Sequence, residues 1–204
     1  MKLYFSPGAC SLSPNIVAHE AGLPLELVQV DLKTKKTASG EDFLKISPKG
    51  YVPTLQLDDK SILTEGPAIV QYLADLAPAA KLAPANGTME RTRLQEALNY
   101  ITSELHKGMG GLFDDRMPEA YKAVVRERVG TRFDHLTTQL AGKTFLLGDQ
   151  FTVADAYLFT VLGWCKWTGI DLAKWPTLVA YTARIAARPA VQAAMGAEGL
   201  LKAA

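Results

Sequence analysis

The chain has 204 residues, of which 48% are hydrophobic, so one large domain or two small ones can form around a packed core. Its 22 Lys and Arg against 21 Asp and Glu leave a net charge of +1, which argues against a broad nucleic-acid surface or a polybasic membrane patch and favours a small partner. Two cysteines, Cys10 and Cys165, are too few for a disulfide scaffold, which indicates a reducing compartment.

The N-terminal segment lacks the form of an export signal, and no later segment is long enough to cross a membrane. The apolar run after Lys2 stops at Phe5, whereas a secretory signal needs roughly 7–15 unbroken apolar residues. The most apolar later segment, Tyr157 to Cys165, is far shorter than the roughly 20 residues of a transmembrane helix. We therefore expect a cytoplasmic protein.

Strand-like and helical segments alternate in the first third of the chain. "KLYF" at residues 2–5 predicts a strand, and a helix is expected from about Ser11 to Ala21, where Gly22 closes it. "ELVQVD" at residues 26–31 then alternates at the period of a second strand. This order is that of a βαβ unit, in which the two strands are parallel.

Further along, the pattern predicts another helix, a hairpin and a third helix. The second helix is expected from Ser39, because Asp42 three residues later suits its N-terminal turn. "TLQLDDKSILT" at residues 54–64 predicts two short strands around a polar turn, and the third helix opens at Gly66-Pro67. The order β-α-β-α-β-β-α predicts an α/β domain with a parallel crossover first and a hairpin last.

A linker separates this domain from a helical second half. Proline and glycine accumulate in "LAPAAKLAPANG", residues 76–87. Beyond it the strand pattern disappears, and one apolar stripe recurs at steps of three and four. That stripe consists of Tyr121, Val125, Val129, Phe133, Leu136 and Leu140. We therefore divide the chain into an α/β domain at 1–80, a linker at 81–87 and an all-helical domain at 88–204.

Cys10 lies in the turn between the first strand and the helix that follows it. The free N–H groups at a helix N-terminus favour an anion, and they can lower the pKa of a thiol from about 8.5 to roughly 3.5–7.5. A small buried hydrophobe is an equally open interpretation, and it is favoured for Cys165. Because Ser13 stands where a C-x-x-C motif has its second thiol, a disulfide from Cys10 would need another molecule's thiol, or Cys165 if the fold brought it close. The position therefore points to a thiol ligand.

Five segments, in this order and spacing, resemble a cytosolic glutathione S-transferase over the whole chain. They are "SPGACSLSP", "SPKGYVPTLQLDD", "LTEGPAIVQYLAD", "NYITSELHK" and "LLGDQFTVADAYLF". Cys10 together with His106 resembles the bacterial beta class in particular. The resemblance implies the glutathione S-transferase fold: an α/β thioredoxin-like N-terminal domain and an all-α C-terminal domain. Within the last segment, Thr152 and Asp155 also have the form of a capping box, which is a folding element.

The resemblance assigns glutathione contacts in the first domain, beginning with Cys10 itself. Sequence alone favours a trans Val52-Pro53 bond, but the family has a cis bond here, which lets the Val52 backbone pair with the cysteinyl part of glutathione. Lys35 matches the position that meets the glycyl carboxylate, although an exposed lysine contributes modestly. Glu65, otherwise a candidate helix cap, would receive the γ-glutamyl ammonium. The γ-glutamyl carboxylate would bind the N–H groups from Gly66 onward, where many relatives carry serine.

In the second half, Asn99, Ser103 and His106 are spaced by four and then three, as a polar stripe on one helix face. In the family such residues complete the glutathione site, some from a partner subunit, which implies a homodimer. His106 is the one able to orient or share a proton with a thiol near neutral pH. Phe113 and Trp164 are candidate walls of an apolar substrate site.

The function implied is transfer of the glutathione thiolate to electrophilic hydrophobic compounds, as in detoxification, with Cys10 and His106 as catalytic residues. Glutathione is then a co-substrate, and no cofactor, metal, nucleic acid or membrane is implied. Ser11 and Tyr4 are rival hydroxyl donors to the ligand sulfur. Two other functions stay open: thiol-disulfide exchange or reductive dehalogenation through a Cys10 mixed disulfide, and a non-catalytic carrier of hydrophobic ligands.

Overall fold

A computed structural model describes residues 1–201 of the chain. These residues form two compact units: the first comprises Met1–Ala83 together with the segment that begins at Ala187, and the second comprises Pro84–Ala186. The division predicted from sequence, at 1–80, 81–87 and 88–204, does not assign the segment from Ala187 onward to the first unit. Those domain limits stay a prediction.

The first unit is built on a five-stranded mixed sheet with the strand order β3-β2-β1-β4-β5. The strands are β1 Lys2–Phe5, β2 Glu26–Asp31, β3 Lys36–Thr37, β4 Thr54–Gln56 and β5 Ile62–Thr64. β1 pairs with β2 in parallel, and β4 and β5 form an antiparallel hairpin. The predicted crossover and the predicted hairpin are both present.

Three helices complete this unit: α1 Leu12–Glu20, α2 Gly66–Leu76 and α9 Pro189–Ala197. α1 ends as the sequence predicts, because Gly22 adopts a φ of 64° and lets Leu23 N–H reach back to the Ala18 carbonyl at 2.9 Å. α1 packs against both α2 and α9. This packing explains why seven consecutive residues of α1, from Leu12 to Ala18, are buried.

The helix predicted from Ser39 does not form. Gly40 has a φ of 88°, and the Ser39 and Thr37 hydroxyls are 2.9 Å apart in a turn that follows β3. Asp42 is indeed a cap, but its Oδ1 accepts from Leu44 N–H at 3.0 Å and opens only a 3₁₀ turn at Phe43–Lys45. Short polar side chains stabilise turns as readily as helix starts. The polar residues after β3 therefore form turns and not the predicted helix.

The second unit is helical, as predicted. Its helices are α3 Met89–Tyr100, α4 Lys107–Met109, α5 Glu119–Leu140, α6 Val153–Leu162, α7 Cys165–Thr168 and α8 Pro176–Ala186. A six-residue π-helix, Ile101–His106, joins α3 to α4. Within α5 the predicted apolar stripe is buried from Val125 to Leu140, whereas Tyr121 is 47% exposed. No helix within residues 1–201 is long and apolar enough to cross a membrane.

Candidate functional site

Cys10 and Val52 meet in the first unit. Cys10 is half-buried in the turn between β1 and α1, and its thiol donates to the Val52 carbonyl oxygen at 3.1 Å. Such a contact requires the protonated thiol, since a thiolate has no hydrogen to donate. The stabilisation of a thiolate by the N-terminus of α1 therefore stays a prediction, whereas the proximity of Cys10 to Val52 is a feature of the structure.

The Val52-Pro53 peptide bond is cis. The general preference of X-Pro bonds for trans is therefore the wrong guide here, and the family resemblance is the right one. Val52 belongs to a small buried cluster with Tyr4, Val30 and Phe43. Its side chain is thus anchored in the core while its carbonyl oxygen faces Cys10.

Lys35 contacts the residues just before Val52, namely Gly50 and Tyr51. Its φ of 57° is in the left-handed region, and its Nζ donates to the Gly50 carbonyl oxygen at 2.9 Å. The ammonium also lies 5.7 Å from the centre of the Tyr51 ring. Lys35 is therefore a half-buried cation held close to the residues that precede the cis bond.

Glu65 and Gly66 mark the start of α2. Glu65 is the N-cap residue but makes no side-chain cap hydrogen bond, so its interpretation as a cap is wrong. Its φ of 70° is unusual for a residue with a side chain and costs of order 1–3 kcal/mol. A Cβ placed on Gly66 would meet only Pro53 Cγ, at 3.7 Å.

The Glu65 carboxylate has a partner that the sequence did not indicate. Lys49 Nζ lies 2.8 Å from Glu65 Oε1 and 3.0 Å from the Thr64 hydroxyl oxygen. No local sequence pattern predicts the ion pair between Lys49 and Glu65, because the two residues are 16 positions apart in the chain. Pairing of β4 with β5 brings them to one end of the hairpin.

The predicted polar stripe of the second unit divides into two parts. Asn99 and Ser103 are exposed, and Ser103 Oγ donates to the Asn99 carbonyl oxygen at 3.1 Å. His106 is half-buried, and its Nδ1 lies 2.6 Å from the Tyr157 hydroxyl. Ser103 and His106 both lie in the π-helix Ile101–His106, whose turn is wider than that of the regular α-helix on which the predicted stripe is based.

His106 belongs to an aromatic cluster with Tyr157, Trp164 and Phe113. Trp164 stands edge-on to His106 at 4.8 Å and to Phe113 at 5.7 Å between ring centres. Trp164 is buried, whereas Phe113 is 48% exposed. The two predicted wall residues and the predicted catalytic histidine are therefore neighbours in one unit, and Tyr157 is a member that the sequence did not single out.

Burial, together with the nearby Lys107 ammonium, lowers the pKa of His106 to about 4. A protonated imidazolium would be poorly solvated among these rings, so the neutral ring is the stable form at neutral pH. This result differs from the expectation that His106 exchanges a proton near neutral pH. The neutral imidazole can still donate one hydrogen bond and accept another.

Neither rival hydroxyl is available to a ligand in this structure. Ser11 is fully buried, accepts from Ser6 N–H and donates to the Ser6 carbonyl oxygen, both at 3.2 Å. Tyr4 is 4% exposed and packs against Phe43. Both residues therefore have structural positions in this structure, and their roles as rival donors to a sulfur stay predictions.

Within residues 1–201, no group of three or more His, Cys, Asp or Glu side chains is arranged to hold a metal ion. Cys165 is buried, and burial raises the pKa of its thiol to about 12. It is therefore protonated and unreactive, as the sequence predicts for a thiol among tryptophans.

Comparison with known proteins gives consistent matches along the chain. The family model for the glutathione S-transferase N-terminal domain matches residues 8–76, and the model for the C-terminal domain matches residues 95–189. The glutathione S-transferase GstA of Escherichia coli O157:H7 is 44% identical over 200 residues, which cover 98% of this chain and 100% of GstA.

Two solved structures are similar in both sequence and fold. A sphingomonad glutathione S-transferase complexed with glutathione is 48% identical, with a TM-score of 0.95. The bacterial beta-class glutathione S-transferase of Sphingomonas chungbukensis is 46% identical, with a TM-score of 0.95. Each alignment covers 98% of this chain and 100% of the other. These matches confirm the resemblance noted in the sequence and the fold class it implies.

Proposed function

The chain belongs to the glutathione S-transferase family, and we infer from this that it is an enzyme that transfers the sulfur of glutathione to electrophilic, hydrophobic compounds in detoxification. The observation that carries the proposal is a continuous path of contacts among the assigned residues. Cys10 donates to Val52 at 3.1 Å, Val52 precedes the cis Pro53, and Pro53 Cγ lies 3.7 Å from a Cβ placed on Gly66. This proximity supports a single glutathione site in the first unit.

Each part of glutathione has a chemically suitable partner along this path. The Lys35 ammonium suits the glycyl carboxylate, and the Val52 backbone suits pairing with the cysteinyl residue. The Glu65 carboxylate suits the γ-glutamyl ammonium, and the N–H groups at the start of α2 suit the γ-glutamyl carboxylate. The bound thiol loses its proton to solvent, and the sulfur then forms a C–S bond as the leaving group departs from the electrophilic carbon.

In this scheme Cys10 acts on the ligand without being the nucleophile. Its thiol can turn from the Val52 carbonyl oxygen to donate to the glutathione sulfur, which would stabilise the anionic form of that sulfur. His106 is the second proposed catalytic residue, acting as a neutral hydrogen-bonding group. Asn99 and Ser103 are proposed to complete the glutathione site, and Phe113 and Trp164 to line the hydrophobic site.

We further propose a homodimer in the cytoplasm that takes no metal or other cofactor. Cys10 and Cys165 form no disulfide within the described residues, which supports a reducing compartment. Light scattering on the purified protein tests the assembly, since a dimer has twice the 22.1 kDa mass of the chain. A single monomeric species at micromolar concentration would contradict it.

The function is tested by steady-state conjugation of an activated chloroarene with and without glutathione, together with calorimetric titration of glutathione. We expect a saturable, glutathione-dependent rate and a measurable heat of binding. Absence of both would contradict the enzymatic proposal and favour a carrier of hydrophobic ligands.

A second activity, through a mixed disulfide at Cys10, is favoured by one observation: Cys10 is partly exposed, whereas Cys165 is buried and protonated. Exchange with glutathione disulfide would form the Cys10–glutathione bond and release one glutathione, with no net oxidation. Intact mass under non-reducing conditions tests this step. The adduct should persist in Cys165→Ala and disappear in Cys10→Ala. Conjugation retained by Cys10→Ala would then show that the two activities are separate.

A further inference from the structure

We propose that Lys49 competes within the chain with the ammonium of glutathione for Glu65, and so limits the affinity for the ligand. This inference rests on the proposed function, in which Glu65 receives the γ-glutamyl ammonium. Lys49 and glutathione both present a primary ammonium, and such a group needs acceptors for its three hydrogens. In this structure Lys49 has two of them, Glu65 Oε1 and the Thr64 hydroxyl.

The fold explains why a lysine reaches this position. Thr54 of β4 pairs with Thr64 of β5, so the segment before β4 and the residue after β5 lie at the same end of the hairpin. Gly50, with a φ of 65°, donates its N–H to the Ser47 carbonyl oxygen at 2.9 Å and closes the turn that carries Lys49. The lysine therefore approaches Glu65 from the loop side.

The Glu65 carboxylate is bound by Lys49 and not by the N-terminus of α2. The Glu65 side chain makes no capping bond to the N–H groups of α2, and its Oε1 accepts from Lys49 Nζ at 2.8 Å instead. A ligand ammonium must therefore displace Lys49 from Oε1 or bind beside a positive charge. Both outcomes weaken the attraction between the ligand and Glu65.

The size of the effect follows from exposure. The side chains of Lys49 and Glu65 are 55% and 70% exposed, so water and salt screen their attraction. An exposed pair of this kind corresponds to a change of about two- to fivefold in a dissociation constant. Lys49 therefore tunes the affinity and does not block the site.

Competition predicts a dependence on the ligand's amino group. An analogue of glutathione in which hydrogen replaces the α-amino group cannot contact Glu65 as a cation, so it gains nothing from removal of Lys49. If Lys49 instead bound the γ-glutamyl carboxylate, its removal would weaken both ligands equally. The pair of ligands thus separates competition from direct binding.

The test is calorimetric titration of glutathione and of the amino-free analogue into wild type, Lys49→Met, Glu65→Gln and the double variant. Lys45→Met is the matched control, because Lys45 is exposed and makes no ion pair among the described residues. We expect Lys49→Met to tighten glutathione about two- to fivefold and to leave the analogue unchanged. In the Glu65→Gln background, Lys49→Met should tighten neither ligand.

Two results would overturn the inference: an unchanged dissociation constant for glutathione in Lys49→Met, or weaker binding of both ligands. Failure of the proposed function has a different signature. In that case wild type gives no heat with glutathione, or Glu65→Gln binds it as tightly as wild type does.

Discussion

Gly66 is the residue at which the addition of a hydroxyl group is expected to strengthen the binding of glutathione. A Cβ here meets only Pro53 Cγ, at 3.7 Å, which is an ordinary van der Waals contact, so the backbone has room for a side chain such as that of serine. Its hydroxyl can donate to the γ-glutamyl carboxylate, and hydrogen bonds to charged groups contribute about 1.5–3 kcal/mol. We expect Gly66→Ser to lower the dissociation constant for glutathione about tenfold, measured by calorimetry.

Gly66→Ala is the control for that experiment. Alanine and serine both reduce the conformational entropy of the unfolded chain and both fill the space beside Pro53. Only serine supplies a donor, so the difference between the two variants reports the hydroxyl contact. Equal affinities for serine and alanine would place the carboxylate elsewhere.

The aromatic cluster around His106 predicts a pH dependence of stability. Above pH 6.5 the ring is neutral in both the folded and the unfolded chain. As the pH falls from 6.5 towards 4, the unfolded chain takes up the proton first, so the folded state loses stability until its own pKa of about 4 is reached. The full loss is at most about 3 kcal/mol.

Urea unfolding of wild type and His106→Asn between pH 4 and 8 measures this loss. The difference in the free energy of unfolding between the two proteins should change between pH 6.5 and 4 and be flat above pH 7. Titration of the His106 ring by NMR gives an independent value. A midpoint near 6.5 would contradict the effect assigned to burial.

At the scale of elements, the start of α6 is held by one buried carboxylate. Asp155 Oδ2 accepts from the N–H and the hydroxyl of Thr152, while its Oδ1 accepts from Leu146 N–H and the Tyr181 hydroxyl, at 2.8–3.0 Å. Asp155→Ala leaves four donors without this acceptor, and we expect it to cost at least about 3 kcal/mol. Thermal unfolding measures the loss, and Asp115→Ala, at an exposed residue, should change stability little.

The contrast between Asp155 and Asp42 shows what the sequence can predict about an element. Both aspartates accept backbone hydrogen bonds at the start of a helix: Asp155 is the third residue of α6 in a capping box with Thr152, and Asp42 is the N-cap residue of a 3₁₀ turn. The helix after Asp155 continues because ten consecutive residues, Val153–Leu162, are all buried. After Asp42 only Phe43 enters the core, so the turn ends at Lys45. Capping is a local property that sequence reveals, whereas helix length depends on tertiary burial.

Contacts between distant residues were the part of the site that sequence could not supply. The positions of Cys10, Val52 and Glu65 followed from motifs, but the partners Lys49 and Tyr157 follow from strand pairing and helix packing. The π-helix at Ile101–His106 could not be predicted either, because no residue pattern in "ITSELH" distinguishes a π-helix from an α-helix.

At the scale of the whole molecule, the end of the chain stabilises the loop near its beginning. Glu198, 5% exposed, accepts from Gly8 N–H at 2.9 Å and from Asn15 Nδ2 at 3.1 Å. Arg188 and Glu20 form a two-fold ion pair at the other end of α1, with contacts of 2.5 and 2.8 Å. The turn that carries Cys10 is therefore fixed from a segment about 190 residues away.

Burial raises the pKa of Glu198 to about 6, although the bonds from Gly8 and Asn15 oppose the shift. Its contribution to stability is fully present below pH 4.5 and is lost as the pH rises through 6, by at most about 2 kcal/mol. Glu198→Gln cannot ionise and should lack this trend in urea unfolding. Glu127→Gln, at an exposed glutamate, should keep it. Parallel pH profiles for wild type and Glu198→Gln would contradict the assignment.

Because α9 packs on α1, the first unit cannot complete its packing until α9 has been synthesised. A ribosome adds about 5–20 residues each second, so α9 emerges roughly ten seconds or more after α1. During that interval the nascent first unit lacks the helix that covers one side of α1, and Gly8 lacks its carboxylate. The turn that carries Cys10 therefore reaches its final arrangement only after α9 and Glu198 have emerged from the ribosome.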